Sequence, residues 1–165
     1  MSGMLDNTLE LWRFGIAFQA KPVVVGGFAM EYYGLRKRGD DIDLIICNDD
    51  YQVLAEKFPK HRKDMWADLG ISVHGYELFR SIWKFDYDFF ASGATEFGQC
   101  KVISFDKLFL MKVLAMNAAE KHKNDVDLIL ERYKRDQNPE YKKNMDDHIE
   151  KYLAAPGGVI YHDEY

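Results

Sequence analysis

The amino-acid sequence predicts an α+β fold with a mixed sheet, flanking helices and a helical C-terminal part. Short apolar, β-branched segments alternate with helical segments up to about residue 103, and the segments that follow are helical. Strands that give way to a run of helices are typical of this class. Apolar residues make up 47% of the 165 residues, which is enough for a hydrophobic core.

Length and composition predict a single domain over residues 1–155, with a core at about 22–103, a helical part at about 104–155 and a loose acidic tail at 156–165. The formal charge of −5 argues against a general nucleic-acid coat protein. The 2 cysteines are expected to be reduced thiols, and the chain shows neither a leader pattern nor a long uncharged apolar run. We therefore expect a cytoplasmic protein that does not enter membranes.

The first predicted elements are a helix and a buried strand. Residues 4–20 place apolar side chains at helical spacing, and Asn7 with Glu10 three residues later resembles a capping box. Pro22 ends this helix. Val23–Val25 is short, apolar and β-branched, which predicts a buried strand.

A glycine pair, Gly26 and Gly27, follows this strand and precedes a short helical segment. Glycine lets the backbone turn sharply and approach a ligand closely. The free N–H groups at the start of a helix are a favourable place for phosphate. The pair therefore predicts a phosphate-binding turn.

Two aspartates begin the next apolar strand, which covers residues 41–46. Side chains alternate along a strand, so Asp41 and Asp43 share one face. Asp43 lies between apolar neighbours, where a carboxylate needs a cation or a hydrogen-bond donor. Two carboxylates beside a phosphate-binding turn predict a Mg²⁺ site that bridges to nucleotide phosphates. The alternative is a solvated turn followed by a charge at the edge of the strand.

The remaining elements follow from the same signals. The sequence predicts a helix over 28–33 closed by Gly34, a basic loop over 35–40, and a helix from Asn48 or Asp49 to Phe58. Residues 60–69 are expected to be irregular. Strands are predicted over 71–74, 78–91 and 101–103, and helices over about 105–120, 125–135 and 139–154.

The glycine pair, the short helix and the Asp-Ile-Asp of residues 41–43 together resemble the nucleotidyltransferase superfamily that shares the palm fold of DNA polymerase β. Over roughly residues 22–130 the chain looks similar to the small bacterial branch related to the AbiEii abortive-infection toxins. This resemblance implies a palm-like sheet and a Mg²⁺-dependent transfer of a nucleoside monophosphate from a nucleoside triphosphate to a hydroxyl acceptor. It implies that Asp41 and Asp43 hold the metal and that Gly26 and Gly27 bind the triphosphate.

The resemblance also implies a third carboxylate, which holds a metal and takes the proton from the attacking hydroxyl. Asp86 and Asp88 fall in the predicted strand over 78–91, where alternation places them on one face. Asp88 is preferred because two apolar residues follow it, as in the superfamily, and Asp86 stays open. The alternative is a surface strand in which these acids pair with Lys84.

Lys112 is the only charged residue between Lys107 and Glu120, and it shares a helix face with Leu108 and Ala115. A lysine on a buried face must extend to water or meet an anion. The resemblance implies that Lys112 contacts the triphosphate.

Two further residues have roles that the resemblance implies. Asp125 lies in a segment similar to a superfamily element and would support the site, while a place at a helix start capped by Asn124 is the alternative. Arg38 precedes the aspartate pair, as an arginine often does in the superfamily, and would contact phosphate. A solvated basic loop is an equal alternative.

The acceptor hydroxyl stays open among a protein, an RNA end and a small molecule. The resemblance places the chain in a toxin–antitoxin or phage-defence setting. The alternative function is a non-catalytic or weakly active binding component of such a system, with a protein or RNA partner. Three carboxylates that converge on one point would favour the enzyme.

Overall fold

The computed structural model describes residues 9–64, 68–136, 147–151 and 154. The chain divides into two compact units, one holding the chain up to Ile103 and the other beginning at Ser104. The sequence places the start of the helical C-terminal part at the same position. The predicted α+β class with a mixed sheet is confirmed.

In the described part of the first unit, seven strands form one sheet. They are β1 (Val23–Val25), β2 (Ile42–Ile45), β3 (Leu69–Val73), β4 (Tyr76–Ile82), β5 (Phe85–Asp86), β6 (Thr95–Phe97) and β7 (Cys100–Val102). The order across the sheet is β3-β4-β2-β1-β7-β6, and β5 pairs with β4. β1 runs antiparallel to β2 and parallel to β7, and β2 runs parallel to β4.

We label five of the α-helices in the described residues, three in the first unit and two in the second. They are α1 (Gly26–Tyr32), α2 (Asn48–Lys57), α3 (Tyr87–Ala91), α4 (Phe105–Ala115) and α5 (Glu120–Asp136). Short 3-10 turns occur at Leu11–Phe14 and Pro59–His61. Residues 147–151 are also helical. None of these described helices has the length and apolar character needed to cross a membrane.

Burial explains why the central strands form where the sequence predicts them. All three valines of β1 are buried between β2 and β7. Phe85, Phe89 and Phe90 are fully buried, and their ring centroids lie 4.3 to 6.2 Å apart. Apolar area removed from water contributes about 25 cal/mol per Å², so this aromatic cluster anchors β5 and α3.

The predicted helix over residues 4–20 does not form in its described part. Residues 11–14 make one 3-10 turn that ends at Gly15, and residues 15–22 are not helical. Leu11 and Phe14 are buried, and the ring of Phe14 packs 5.2 Å from that of Tyr76. The apolar spacing there reflects contacts with the sheet rather than a helix. Asn7, half of the predicted capping box, lies outside the described residues.

The predicted strand over residues 78–91 is divided into β4, β5 and the helix α3. Trp83 adopts a φ of 55°, which turns the chain back between β4 and β5. The side chain of Asp86 then accepts a hydrogen bond from the N–H of Phe89 at 3.3 Å and so caps α3. Asp86 and Asp88 therefore do not alternate along one strand.

The last part of the sheet also differs from the prediction. The segment predicted as a strand over 101–103 is β7, which lies inside the sheet between β1 and β6. The sequence gives no indication of β6, whose three residues Thr95–Phe97 pair antiparallel with β7.

The second unit contains the helical pair α4 and α5. Ser104 caps α4 by accepting a hydrogen bond from the N–H of Lys107 at 3.3 Å. The hydroxyl of Tyr133 donates to Asp106 at 2.6 Å and links the two helices. α4 ends earlier than predicted, at Ala115, and α5 begins earlier, at Glu120. Most of the predicted helix over 139–154 lies outside the described residues.

Candidate functional site

Gly26 lies against the side chain of Asp43 where β1 passes into α1. Val25 pairs with Asp43 in the antiparallel ladder, and Gly26 comes next with a φ of 63°. This left-handed conformation favours glycine. A Cβ atom on Gly26 would lie 3.3 Å from Cβ and Cγ of Asp43, and closer still to its carboxylate. Because Gly26 has no side chain, the carboxylate of Asp43 can lie directly against its backbone.

The hairpin between β3 and β4 places Glu77 beside Asp43. His74 and Gly75 form its two-residue turn with φ values of 58° and 82°, as a type I′ turn requires. β4 then runs parallel to β2, with Glu77 in register with Asp43. In-register residues on neighbouring strands face the same side, and the strands lie about 4.8 Å apart. Two carboxylates thus face one space at the start of β2 and β4.

A lysine accompanies these acids. Nζ of Lys63 donates a hydrogen bond to Oε1 of Glu77 at 2.6 Å. The pKa of Lys63 is raised above 10.5, first by this hydrogen bond and the charge of Glu77, and further by the charges of Asp41 and Asp43. We refer to Asp41, Asp43 and Glu77 as the carboxylate cluster. Among the described residues, no three His, Cys, Asp or Glu side chains are arranged to hold a metal ion, and this includes the carboxylate cluster.

A separate polar network fixes the backbone around Lys63. The N–H of Lys63 donates to the carbonyl of Gly70 at 2.7 Å. The carboxylate of Asp64 accepts from the hydroxyl of Tyr51 at 2.8 Å, from Arg62 at 2.7 Å and from the N–H of Gly70 at 3.1 Å. Burial works to raise the pKa of Asp64, but these hydrogen bonds outweigh it and hold the pKa below 3.8. The residues on both sides of Lys63 are therefore held in place.

The basic loop lies over Gly27. A Cβ atom on Gly27 would lie 3.5 Å from Nη1 of Arg36 and 3.7 Å from Cα of Arg38. The guanidinium carbon of Arg38 is 4.7 Å from the ring centroid of Phe28, and its Nε is 3.9 Å from Oε2 of Glu31. Arg36 therefore has its guanidinium nearer to the glycine pair. The phosphate contact of Arg38 stays a prediction.

The structure does not bring Asp86 or Asp88 to the carboxylate cluster. Asp86 pairs with Ser81 in the β4–β5 ladder, four residues beyond Glu77. At the rise of a strand this is about 13 Å along β4. Asp88 is exposed on α3. The two aspartates therefore lie toward the carboxyl end of β4, away from Glu77. The predicted continuous strand over 78–91 does not indicate this separation from the carboxylate cluster.

Asp86 and Asp88 instead line a cavity of about 390 Å³ at the carboxyl ends of β2 and β4, together with Cys47, Arg80 and Ser81. Tyr87 also lines it, and burial raises the pKa of this tyrosine to about 12. Its hydroxyl donates to the carbonyl of Lys21 at 2.7 Å. Tyr87 therefore stays neutral near pH 7 and holds α3 to the segment before β1.

Comparison with known proteins gives no family for this chain. No model of a known protein family matches it, and no curated protein matches it. The function is therefore argued from the residues and their geometry.

Lys112 and Asp125 form an ion pair within the second unit. Nζ of Lys112 lies 2.8 Å from Oδ2 of Asp125, and the two side chains are 8% and 2% exposed. Asp125 lies on α5, five residues after its first residue, Glu120. The lysine thus meets a carboxylate on the neighbouring helix. A contact between Lys112 and a triphosphate stays a prediction.

Two residues of the site were absent from the sequence-based prediction. Glu77 falls between two predicted strands, because the first predicted strand ends at His74 and the next begins at Leu78. The signal that reveals it is the His74-Gly75 pair, a positive-φ turn between two apolar segments. Lys63 carries no such signal, since its position depends on the network around Asp64.

Proposed function

We propose that this chain is a Mg²⁺-dependent nucleotidyltransferase that transfers a nucleoside monophosphate from a nucleoside triphosphate to a hydroxyl acceptor. The observation that supports it most is the in-register pair Asp43 and Glu77, with the backbone of Gly26 packed against Asp43. This arrangement puts carboxylates beside a half-buried glycine turn at one end of the inner strands of the sheet. Glu77 takes the place that the sequence-based prediction gave to Asp86 or Asp88.

The carboxylate cluster supplies oxygen donors of the kind that Mg²⁺ prefers, but no three such side chains among the described residues are arranged to hold a metal ion in this structure. Asp41, Asp43 and Glu77 are the residues that would hold it. Bound there, the metal would neutralise negative charge on the triphosphate. Nζ of Lys63 lies 2.6 Å from Oε1 of Glu77 in the structure.

The protein's own groups have separate tasks in this proposal. A hydroxyl oxygen of the acceptor attacks the α-phosphorus. The bond between this phosphorus and the oxygen that bridges the α- and β-phosphates breaks, and pyrophosphate leaves. The carboxylate of Glu77 takes the proton of the attacking hydroxyl. The guanidinium of Arg36, whose Nη1 would lie 3.5 Å from a Cβ atom on Gly27, would contact the phosphates at the glycine turn.

Calorimetric titration with each nucleoside triphosphate, with and without Mg²⁺, tests the binding part. Asp43→Asn and Glu77→Gln remove a charge and keep the side-chain shape. We expect each change to weaken Mg²⁺-dependent binding by at least about tenfold. Asp88→Asn is the matched control, because it removes an exposed aspartate from the same unit and should leave affinity unchanged. Equal affinity in all four proteins would refute the assignment.

Labelled nucleotides test the transfer itself. The protein is incubated with cell extract and a triphosphate labelled on either the α- or the γ-phosphate. Nucleotidyl transfer moves the α label to an acceptor and releases the γ label with pyrophosphate. Transfer of the γ label would instead indicate a kinase. Separation of the products into protein, RNA and small-molecule fractions identifies the acceptor class.

The contact between Lys63 and Glu77 favours a second candidate function. An ammonium that neutralises the site permanently would leave a non-catalytic binding component with a protein or RNA partner. Nucleotide binding that is strong without Mg²⁺ and gives no transfer would support this alternative.

A further inference from the structure

The guanidinium of Arg38 packs on two side chains of the helix α1. Its carbon lies 4.7 Å from the ring centroid of Phe28, and its Nε lies 3.9 Å from Oε2 of Glu31. Phe28 is fully buried, while the side chains of Arg38 and Glu31 are 29% and 32% exposed. A planar guanidinium stacks on an aromatic ring and pairs with a carboxylate in a way that an ammonium does not reproduce. The side chain of Arg38 therefore joins the basic loop to α1.

The same loop brings Arg36 to the glycine turn. A Cβ atom on Gly27 would lie 3.7 Å from Cα of Arg38 and 3.5 Å from Nη1 of Arg36. The loop backbone therefore packs directly on α1 at Gly27, and the guanidinium of Arg36 lies beside the same point. Nη1 of Arg36 also donates to the carbonyl of Lys37 at 2.9 Å, which holds the side chain along the loop. The place of the Arg36 guanidinium thus depends on the contact between the loop and α1.

We propose that Arg38 is a positioning residue, which holds the basic loop on α1 so that Arg36 can contact the phosphates. This inference rests on the proposed function, because it assigns roles within the phosphate site of that reaction. The sequence resemblance gives the phosphate contact to Arg38 itself. The two assignments differ in the role of Glu31. If Arg38 bound phosphate, Glu31 would compete with the phosphate for its guanidinium, whereas a positioning Arg38 needs Glu31 as its partner.

The carboxylate of Glu31 therefore gives a test in which the two assignments predict opposite signs. The affinity for inorganic triphosphate is measured by calorimetry, with and without Mg²⁺. Glu31→Gln removes a negative charge and keeps the side-chain shape. We expect it to weaken binding about threefold, because the loop loses a partner on α1. Competition between Glu31 and phosphate would instead make the same variant bind more tightly.

Lysine substitutions separate charge from geometry, because an ammonium binds phosphate as a point charge but does not stack as a guanidinium does. Arg36→Lys should keep most of the triphosphate affinity, within about threefold of the wild type. Arg38→Lys should lose as much as Arg38→Met, on the order of fivefold. Lys37→Met is the matched control, because it removes a positive charge from an exposed position of the same loop and should change affinity less than about twofold. Circular dichroism checks that each variant is folded.

A double variant tests whether Arg38 acts through Arg36. Arg36→Met with Arg38→Met should bind triphosphate within about twofold of Arg36→Met alone, since the second change removes the support of a group that is already absent. Losses that add in the double variant would overturn the inference. Tighter binding by Glu31→Gln, wild-type affinity in Arg38→Lys, or no triphosphate binding by the wild type in either condition would also overturn it.

The labelled-nucleotide assay separates this inference from the proposed function. The expected pattern of triphosphate affinities without transfer of the α label keeps the positioning role of Arg38 and refutes the transferase. Transfer of the α label together with additive losses in the two arginine variants refutes the positioning role alone.

Discussion

The buried ion pair of the second unit makes a sharp prediction about stability. Lys112 and Asp125 lie 2.8 Å apart, and their side chains are 8% and 2% exposed. If Lys112 met a phosphate, as the resemblance implies, its replacement by methionine would preserve or raise stability, whereas pairing with Asp125 would make the same change destabilising. The structure shows this pairing, so Lys112→Met leaves the carboxylate of Asp125 buried without its cation. Loss of one partner of a buried pair costs about 3–5 kcal/mol.

A double-mutant cycle separates the pair from the helix packing around it. Asp125→Leu alone should cost a similar amount, about 3–5 kcal/mol, because it leaves a buried ammonium. The double variant Lys112→Met with Asp125→Leu should recover most of the loss, since two apolar side chains replace two charges. With two single losses of this size and a double variant that loses less than about 2 kcal/mol, the coupling energy should be at least about 4 kcal/mol.

Urea unfolding followed by far-ultraviolet circular dichroism measures all four proteins, since urea leaves the ion pair unscreened. Lys123→Met on the exposed face of α5 is the control and should change the free energy of unfolding by less than about 0.5 kcal/mol. A loss below about 1 kcal/mol for Lys112→Met would refute the argument. Unchanged stability together with weaker nucleotide binding would instead support the contact between Lys112 and phosphate that the resemblance implies.

Two further predictions concern the sheet unit. Gly26→Ala should lower the free energy of unfolding by about 1–3 kcal/mol, because the new side chain would require a φ of 63° and would clash with Asp43. A Cβ atom on Gly27 would make only ordinary van der Waals contacts, so Gly27→Ala should lower the free energy of unfolding by less than about 1 kcal/mol. Thermal melts of the two variants compare them directly, and equal losses would contradict the close approach of Gly26. Asp64→Asn should be less stable than the wild type at pH 7 by about 1 kcal/mol, a value reduced for the exposure of the site. Because the pKa of Asp64 is held below 3.8, its contribution is present above that value, and the difference should disappear as the pH falls through the pKa of the folded state. Urea unfolding over a pH series measures it, and a difference that does not change with pH would assign the effect to packing.

Half of the candidate site could be predicted because its signals are local. Val23–Val25 reads as a buried strand from its own composition, and the glycine that follows needs no knowledge of distant residues. Asp43 is placed by alternation within its own strand. For these residues, strand propensity, side-chain alternation and turn chemistry all predict the same structure. Such agreement is what allows a structure to be predicted from its sequence.

The other half depends on pairing between distant segments. Glu77 meets Asp43 only because β4 runs parallel to β2 with a particular register, which a one-residue shift would destroy. Asp88 was misplaced because Trp83 adopts a positive φ, which is rare for a bulky residue and has no local signal. The sequence correctly predicts that Lys112 is buried, but helix periodicity does not decide whether its partner is a phosphate or the carboxylate of Asp125 on the next helix.

The parallel pairing of β1 with β7 has a consequence for synthesis of the chain. Val24 lies in register with Val102, so the centre of the sheet joins two segments from opposite ends of the first unit. Until β7 leaves the ribosome, β1 presents an apolar open edge to the cell, and edges of this kind recruit other strands. Contacts between such distant segments also form slowly, because the long chain between them must first form a loop that brings its ends together. The nascent protein is therefore most vulnerable to aggregation during the interval in which residues 26–99 are being made.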